Sequence, residues 1–280
     1  MVSPQIKRII QSALAEDIGA GDITTQATVS PKKKGRAQAV AKDDFVVAGI
    51  DVFEATFKCI DKKIKVKKRV ADGSLVKKGD VIAEVEGSLS GILQAERVSL
   101  NLFQRMCGIA SQTAKYVEAV RGSRAKILDT RKTVPGLRVL DKMAVRLGGG
   151  ANHRFGLYDA VLIKDNHIEA AGGITAAVTA QRKFLKKKLK IEVETKNLSE
   201  VQEALRCGVD IIMLDNMTNS AMKKAVDLIA GRALTEASGN VNLKRIISIA
   251  ATGVDLISIG ELTHSVRAAD ISLLVKGNGL

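Results

Sequence analysis

Residues 190–215, KIEVETKNLSEVQEALRCGVDIIMLD, decide how the chain folds. A short run of Ile and Val ends in charge, a segment with helical spacing follows, and a run of Ile, Met and Leu closes on Asp215. Apolar runs without polar alternation read as strands covered on both faces. Two such strands joined through a helix run parallel, with a right-handed crossover. Ser199 and Gln202 have the spacing of a capping box for that helix, and Gly208 supplies its stop.

Working outward, the unit repeats. KILDTRK (126–132), AVLIKDN (160–166), ALTEASG (233–239) and DLISIGE (255–261) read as further strands. ITAAVTAQRKFLKKK (174–188), SAMKKAVDLIAG (220–231) and NLKRIISIAATG (242–253) read as helices, the last stopped at Gly253. The later units lie only about twenty residues apart, a spacing that favours a barrel over an open sheet. Six strands imply an incomplete parallel (β/α) barrel.

Before residue 110 the texture changes. GRAQAVAKDDFVVAG (35–49), KIKVKKRV (63–70) and DVIAEVEG (80–87) are strand-like, broken by turn signals, and an amphipathic helix near residues 4–15 precedes them. VADGSLVKKGDVIAEVEG (70–87) resembles the hammerhead of biotinyl and lipoyl carriers, but no lysine stands alone at a hairpin tip, so the likeness is one of sandwich topology. We expect an N-terminal α+β open sandwich domain over 1–107 and the barrel over 108–275, with the tail 276–280 returning to the first domain. In the helix GILQAERVSLNLFQRMCGIAS (91–111), Arg97 is either a snorkelling surface residue or a donor.

Composition narrows the function. A 46% hydrophobic chain of 280 residues can bury a full core. There is no run of eighteen apolar residues, and MVSPQIKRII lacks the basic-then-apolar order of a signal peptide, so the expected location is cytoplasmic, with no membrane partner. Cys59, Cys107 and Cys207 have no CxxC spacing and read as buried free thiols. Net charge is +14, which concentrates anions of any kind. The basic clusters at 32–34, 62–69 and 186–190 lack interleaved aromatics, which make up 3% of the chain, and so read as solvated faces rather than nucleic-acid sites.

In a parallel barrel, reactive groups gather at the carboxyl ends of the strands. Arg131 and Lys132 follow ILDT, Lys164 follows VLI, Glu194 follows IEV, Asp215 follows IIML, Glu236 and Ser238 follow ALT, and Ser258 and Gly260 close LISIG. Arg131, Lys132, Arg154 and Lys164 are guanidinium forks and point charges suited to carboxylates or phosphates. Glu194 and Asp215 suit magnesium held partly through substrate oxygens. SGN (238–240) and SIGE (258–261) lie where barrels hold a phosphate against backbone amides. GGGANHR (148–154) is not a dinucleotide fingerprint, since no strand leads straight into it; it reads as a tight loop presenting His153 and Arg154. His167 could be ligand contact or structural, and His264 a support for the phosphate loop. Neither a Ser/His/Asp arrangement nor a zinc motif is present.

DTRKTVPGLRVLDKMAV (129–145), GGGANHRFGLYDAVLIKDNHI (148–168), LDNM (214–217), EASG (236–239) and SIGELTHS (258–265) together resemble the quinolinate phosphoribosyltransferase family, the decarboxylating nicotinate-nucleotide pyrophosphorylases of NAD biosynthesis. The resemblance covers nearly the whole chain. It implies transfer of phosphoribosyl from phosphoribosyl pyrophosphate to quinolinate, yielding nicotinate mononucleotide, pyrophosphate and CO2. Quinolinate's carboxylates would meet Arg131, Arg154, His153 and Lys132, with Arg97 entering from the other subunit of a homodimer. Lys132, Lys164, Glu194 and Asp215 would be catalytic, Glu194 and Asp215 would hold magnesium, and Thr130, Ser238, Gly239, Asn240, Ser258, Ile259 and Gly260 would complete the substrate contacts. Asn240 stands where relatives often have glycine, Glu261 where alanine is common, and Met143 where tyrosine is common. The alternatives are a paralogous phosphoribosyltransferase of the molybdenum-transport-associated branch, with another acceptor, and, more distantly, a basic RNA-binding protein.

Overall fold

The computed structural model describes residues 2–187 and 189–276. Its elements, in order, are α1 (Pro4–Ile18), α2 (Ile23–Thr28), β1 (Lys34–Ala41), β2 (Phe45–Val46), α3 (Ile50–Ile60), β3 (Lys65–Lys68), β4 (Leu75–Val76), β5 (Val81–Ser88), α4 (Leu89–Ala119), β6 (Lys126–Leu128), α5 (Arg138–Leu147), β7 (Val161–Ile163), α6 (Asp165–Ala171), α7 (Ile174–Phe184), β8 (Ile191–Thr195), α8 (Leu198–Arg206), β9 (Ile211–Asp215), α9 (Asn219–Ile229), β10 (Leu234–Ser238), α10 (Ile246–Ala250), β11 (Leu256–Ser258), α11 (Glu261–His264) and β12 (Ile271–Lys276). They form two compact units. The first gathers the chain up to Ala114, Thr133–Gly149 and the residues from Thr263 onward; the second holds Lys115–Lys132 and Gly150–Leu262.

The first unit is an antiparallel sheet in the order β12-β1-β5-β3, with a small β2-β4 pair. Alternation along β1 turns Ala37, Ala39 and Ala41 inward, where they join Ile82, Ala83 and Val85 of β5 and Phe53, Phe57 and Phe103 of the helices in one core. Phe53 packs edge-on to Phe57 at 5.0 Å between centroids and lies 5.3 Å from Phe103, geometries that add to plain area burial. The other face of the sheet is polar, with Arg36 paired to Glu86 at 3.2 Å and Arg69 to Glu84 at 2.7 Å. Lys68 bridges Asp51 and Glu54, so the basic run at 62–69 is partly paired rather than only solvated. α1 runs three residues beyond its expected end and is capped by Ser3, whose side chain accepts from the Ile6 amide. Of the tail 276–280, expected to return to this domain, residues 277–280 lie outside the described residues; Lys276 ends β12 and pairs antiparallel with Arg36 of β1.

The second unit is a six-stranded parallel sheet, β6-β11-β10-β9-β8-β7, built from the six runs read as strands. Helices follow the strands as the spacing requires. One cap differs: α8 starts at Leu198, and Asn197 accepts from the Glu200 amide at 3.0 Å, so Asn197 is the N-cap instead of Ser199. The Glu200 carboxylate also takes the Lys196 amide at 2.7 Å, fixing that register. Irregular backbone extends the sheet at its β6 edge toward closure. Ala151 forms a parallel bridge to Leu128, its amide donating to the Ile127 carbonyl at 2.8 Å, and Arg154 Nη1 donates to the Ala160 carbonyl just before β7 at 3.3 Å. The segment 151–154 therefore runs from one edge strand toward the other. Among the described residues no helix is long and apolar enough to cross a membrane.

Candidate active site

Strand alternation decides what faces the barrel interior. Glu194 pairs across β8–β9 with Met213, which pairs across β9–β10 with Glu236, so the three share a face; Asp215 and Ser238 are paired one step further along it. Glu192 lies two residues before Glu194 on that face. The sequence thus places three glutamates inside, at 4%, 7% and 0% exposure for Glu192, Glu194 and Glu236. Buried carboxylates require partners.

The loop 150–154 supplies one of them. Asp129, fully buried at the end of β6, accepts from Asn152 Nδ2 at 2.6 Å and from the His153 amide at 2.8 Å. That holds His153 with Nε2 3.1 Å from Glu192 and 3.6 Å from Glu236. Burial opposes a charge on the ring, but Glu192 and Glu236 outweigh it and push His153 up to about 10; burial pushes Glu192 up to about 7. The Arg154 amide lies 2.8 Å from Nδ1, and His153, Glu192 and Glu236 form one buried triad. These three groups are close enough to share a metal ion.

Arg154, next along, is lowered from its ordinary value, first by burial and then by the positive charge of Arg131, with Glu192 and Asp159 opposing. Two guanidiniums, one from β6's end and one from the loop, therefore feel each other within one site. Such repulsion is relieved by an incoming anion. Lys132 is exposed, its amide donating to Thr130 Oγ1 at 3.0 Å.

Lys164 follows β7 and reaches Glu194 at 3.1 Å. Its backbone is fixed by His167: the Lys164 amide donates to His167 Nδ1 at 2.9 Å, and the His167 amide donates back to the Lys164 carbonyl at 2.8 Å. His167 is thus a helix cap. Past β9, Asp215 accepts from Asn216 Nδ2 at 2.7 Å, and Asn216 Oδ1 accepts from Asn240 Nδ2 at 3.0 Å. Asn240 adopts φ 49°, a left-handed conformation that asparagine tolerates better than most residues with side chains, which accounts for its standing in a glycine position. Gly239, at φ 86°, packs against the Asn216 side chain so closely that a Cβ would collide with it.

After β11, Ser258 is buried and the Ile259 amide donates to the Leu128 carbonyl at 3.0 Å, tying this connection to β6. Glu261 Oε1 accepts the hydroxyl proton of the buried Tyr116. Arg97 is exposed on α4 of the first unit, and His264 is exposed with Nδ1 2.6 Å from Ser265 Oγ. The thiols are free, but only Cys107 is buried; Cys59 and Cys207 are half-buried.

Thr130, Arg131, Lys132, His153, Arg154, Lys164, Glu194, Asp215, Ser238, Gly239, Asn240, Ser258, Ile259 and Gly260 all lie at or just beyond strand carboxyl ends of this sheet or on the loop that closes it. Sequence reasoning missed Asp129, Asn152, Glu192 and Tyr116, and noted Glu236 only as a strand-end charge. The period-two spacing of Glu192 and Glu194 was the available signal for one of them.

Two family models match in order: the quinolinate phosphoribosyl transferase N-terminal domain over residues 22–107 and its C-terminal domain over residues 109–274. A quinolinate phosphoribosyltransferase [decarboxylating] 1b of Nicotiana tabacum is 46% identical, covering 96% of this chain and 82% of that one. A probable nicotinate-nucleotide pyrophosphorylase [carboxylating] of Bacillus subtilis (strain 168) is 42% identical, covering 96% and 93%. The crystal structure of NadC from Streptococcus pyogenes superposes with a TM-score of 0.94 at 41% identity, covering 99% and 98% of the two chains. Matches of that extent, falling on a parallel barrel whose strand ends carry the residues described above, place the chain in the quinolinate phosphoribosyltransferase family.

Proposed function

We infer that this chain transfers the phosphoribosyl group of phosphoribosyl pyrophosphate to the nitrogen of quinolinate, with loss of CO2, to give nicotinate mononucleotide and pyrophosphate for NAD biosynthesis. The observation that carries this reading is the placing of two guanidiniums together, Arg131 just beyond β6 and Arg154 on the segment bridged to β6, a cationic site suited to a dianion. Family membership supplies the acceptor's identity.

In this reading the two quinolinate carboxylates meet Arg131, Arg154 and Lys132, with His153 in the same wall and Arg97 contributed across a homodimer acting in the cytoplasm. Lys164, Glu194 and Asp215 face phosphoribosyl pyrophosphate. Thr130, Ser238, Gly239, Asn240, Ser258, Ile259 and Gly260 surround its ribose and 5'-phosphate. Glu194 and Asp215 are hard oxygen donors on one face of adjacent strands, a donor set that fits magnesium completed by water and phosphate oxygens. Magnesium bound there would neutralise the departing pyrophosphate.

The protein's own part is positioning and charge. The pyridine nitrogen displaces pyrophosphate at the anomeric carbon while the ribose ring gains positive character, which Glu194 faces. Once N-ribosylated, the ring nitrogen is cationic, so the electron pair left at C2 when CO2 departs is stabilised until that carbon takes a proton. Lys132 and Lys164 orient anions and form no covalent intermediate. Misplacing either reactant by about 1 Å costs on the order of a hundredfold.

A single-turnover experiment following CO2 release from carboxyl-labelled quinolinate tests the activity, with other pyridine carboxylates as competing acceptors; turnover of another acceptor and not quinolinate overturns it. Mixing Arg97→Ala with Arg131→Ala chains tests the shared site. Verified heterodimers that recover no activity refute it.

A further inference from the structure

The connection after β11 contains an anomaly: Glu261 directly follows Ser258–Gly260, the segment that the proposed function gives to a phosphate. A carboxylate free to swing there repels that phosphate. Its actual environment is specific. Tyr116, fully buried on α4, donates its hydroxyl proton to Glu261 Oε1. The same hydroxyl lies beside the backbone amide of Leu243, in the connection after β10 that also carries Ser238, Gly239 and Asn240. One phenol therefore sits between the two connections assigned to the phosphate.

We propose that Tyr116 and Glu261 form a positioning pair in which the tyrosine holds the carboxylate away from the phosphate-binding connection and so sets the affinity of that connection for a phosphate monoester. This rests on the phosphoribosyl transfer reading for the ligand's identity and adds to it a determinant of affinity. Burial and then the adjoining carboxylate push the phenol of Tyr116 above its ordinary range, so it remains a proton donor across the working pH span. Loss of the hydroxyl alone removes the restraint that Tyr116 places on the Glu261 carboxylate and lets it turn toward the phosphate space. Loss of both groups removes the charge along with its restraint.

Five proteins decide the matter: wild type, Tyr116→Phe, Glu261→Ala, Glu261→Gln and the Tyr116→Phe/Glu261→Ala double variant, each titrated with inorganic phosphate by calorimetry and assayed for KM of phosphoribosyl pyrophosphate and of quinolinate. The expected result is that Tyr116→Phe weakens phosphate binding and raises KM for phosphoribosyl pyrophosphate by about tenfold, as one nearby like charge would, with KM for quinolinate unchanged. The double variant and Glu261→Ala should return to within about twofold of wild type. Glu261→Gln, which keeps an acceptor for the phenol without charge, should bind phosphate as tightly as wild type or tighter. A purely structural tyrosine predicts instead that the double variant stays as weak as Tyr116→Phe, and that result overturns the proposal, as does a Tyr116→Phe protein with wild-type phosphate affinity. Should wild type convert no quinolinate while the phosphate pattern holds, the proposed reaction fails and the positioning pair stands.

Discussion

Replacing Arg105 by leucine isolates the energetics of one buried ion pair in the first unit. Arg105 donates through Nε to Asp141 Oδ1 and through Nη2 to Asp141 Oδ2, both at 2.8 Å, and through Nη2 to the Thr263 carbonyl at 3.0 Å. The Asp141 side chain is 0% exposed and that of Arg105 20%. Asp141 has a further, long hydrogen bond from the Val134 amide at 3.4 Å. Without the guanidinium, that carboxylate stays buried among α5's apolar neighbours with its bidentate partner gone, which costs about 3–5 kcal/mol. Removing both charges, as Arg105→Leu/Asp141→Leu, trades a desolvated pair for apolar contact, and for buried pairs that exchange is close to neutral. The double variant should therefore recover most of the loss, to within about 1–2 kcal/mol of wild type. Urea unfolding followed by far-ultraviolet circular dichroism measures all four corners of the cycle, since the chain contains no tryptophan. A single variant that loses less than about 1 kcal/mol, or a double variant worse than Arg105→Leu, refutes the reasoning.

Other expectations follow from the barrel. Arg131→Ala should weaken quinolinate binding by about 2–5 kcal/mol, because a carboxylate is then buried without its partner; near-normal KM and kcat would contradict the assignment. Asp129→Ala should destabilise the protein by about 3–5 kcal/mol through loss of two charge-assisted hydrogen bonds, and raise KM for quinolinate by freeing the loop that carries Arg154. An unchanged KM in a stably folded variant would separate the loop from the site. Stability should also fall above neutrality. His153 is raised from 6.5 to about 10 because Glu192 and Glu236 outweigh burial, so the folded state holds an extra proton; its stabilisation is full below 6.5 and is lost as pH rises through about 10. At roughly 1.4 kcal/mol per unit this is at most about 5 kcal/mol. Unfolding midpoints measured across that range should decline in wild type and flatten in Glu236→Gln; parallel curves would rule the triad out as the cause.

The six strands of the barrel were legible because each is an apolar run that must be covered on both faces, and their carboxyl ends announced the site through the charges that stop them. The closing loop was not. Ala151 makes a single bridge, and GGGANHR contains no apolar run to mark it as part of a sheet. Nor does chain order reveal that Thr133–Gly149 joins the first unit, since the tie is Arg105 to Asp141, thirty-six residues apart, and a lone charge pair leaves no pattern in sequence. Asn197 and Ser199 are equally good caps by type, and only the Glu200 amide distinguishes them.

The deepest gap concerns the barrel's inside. Parallel barrels are ordinarily filled by layers of branched apolar side chains. Here the inner face carries Glu192, Glu194 and Glu236, a cost that neither hydrophobicity nor propensity would select. Each is answered by a group held for that purpose: Lys164 against Glu194, and His153, fixed through Asp129, between Glu192 and Glu236. The acids thus absorb the positive charge nearest to them. At the mouth the charge of Arg131 bears on Arg154, and an anionic substrate would neutralise both guanidiniums. Net charge explains attraction at a distance; the two guanidiniums beside β6 explain why the attraction ends at one place.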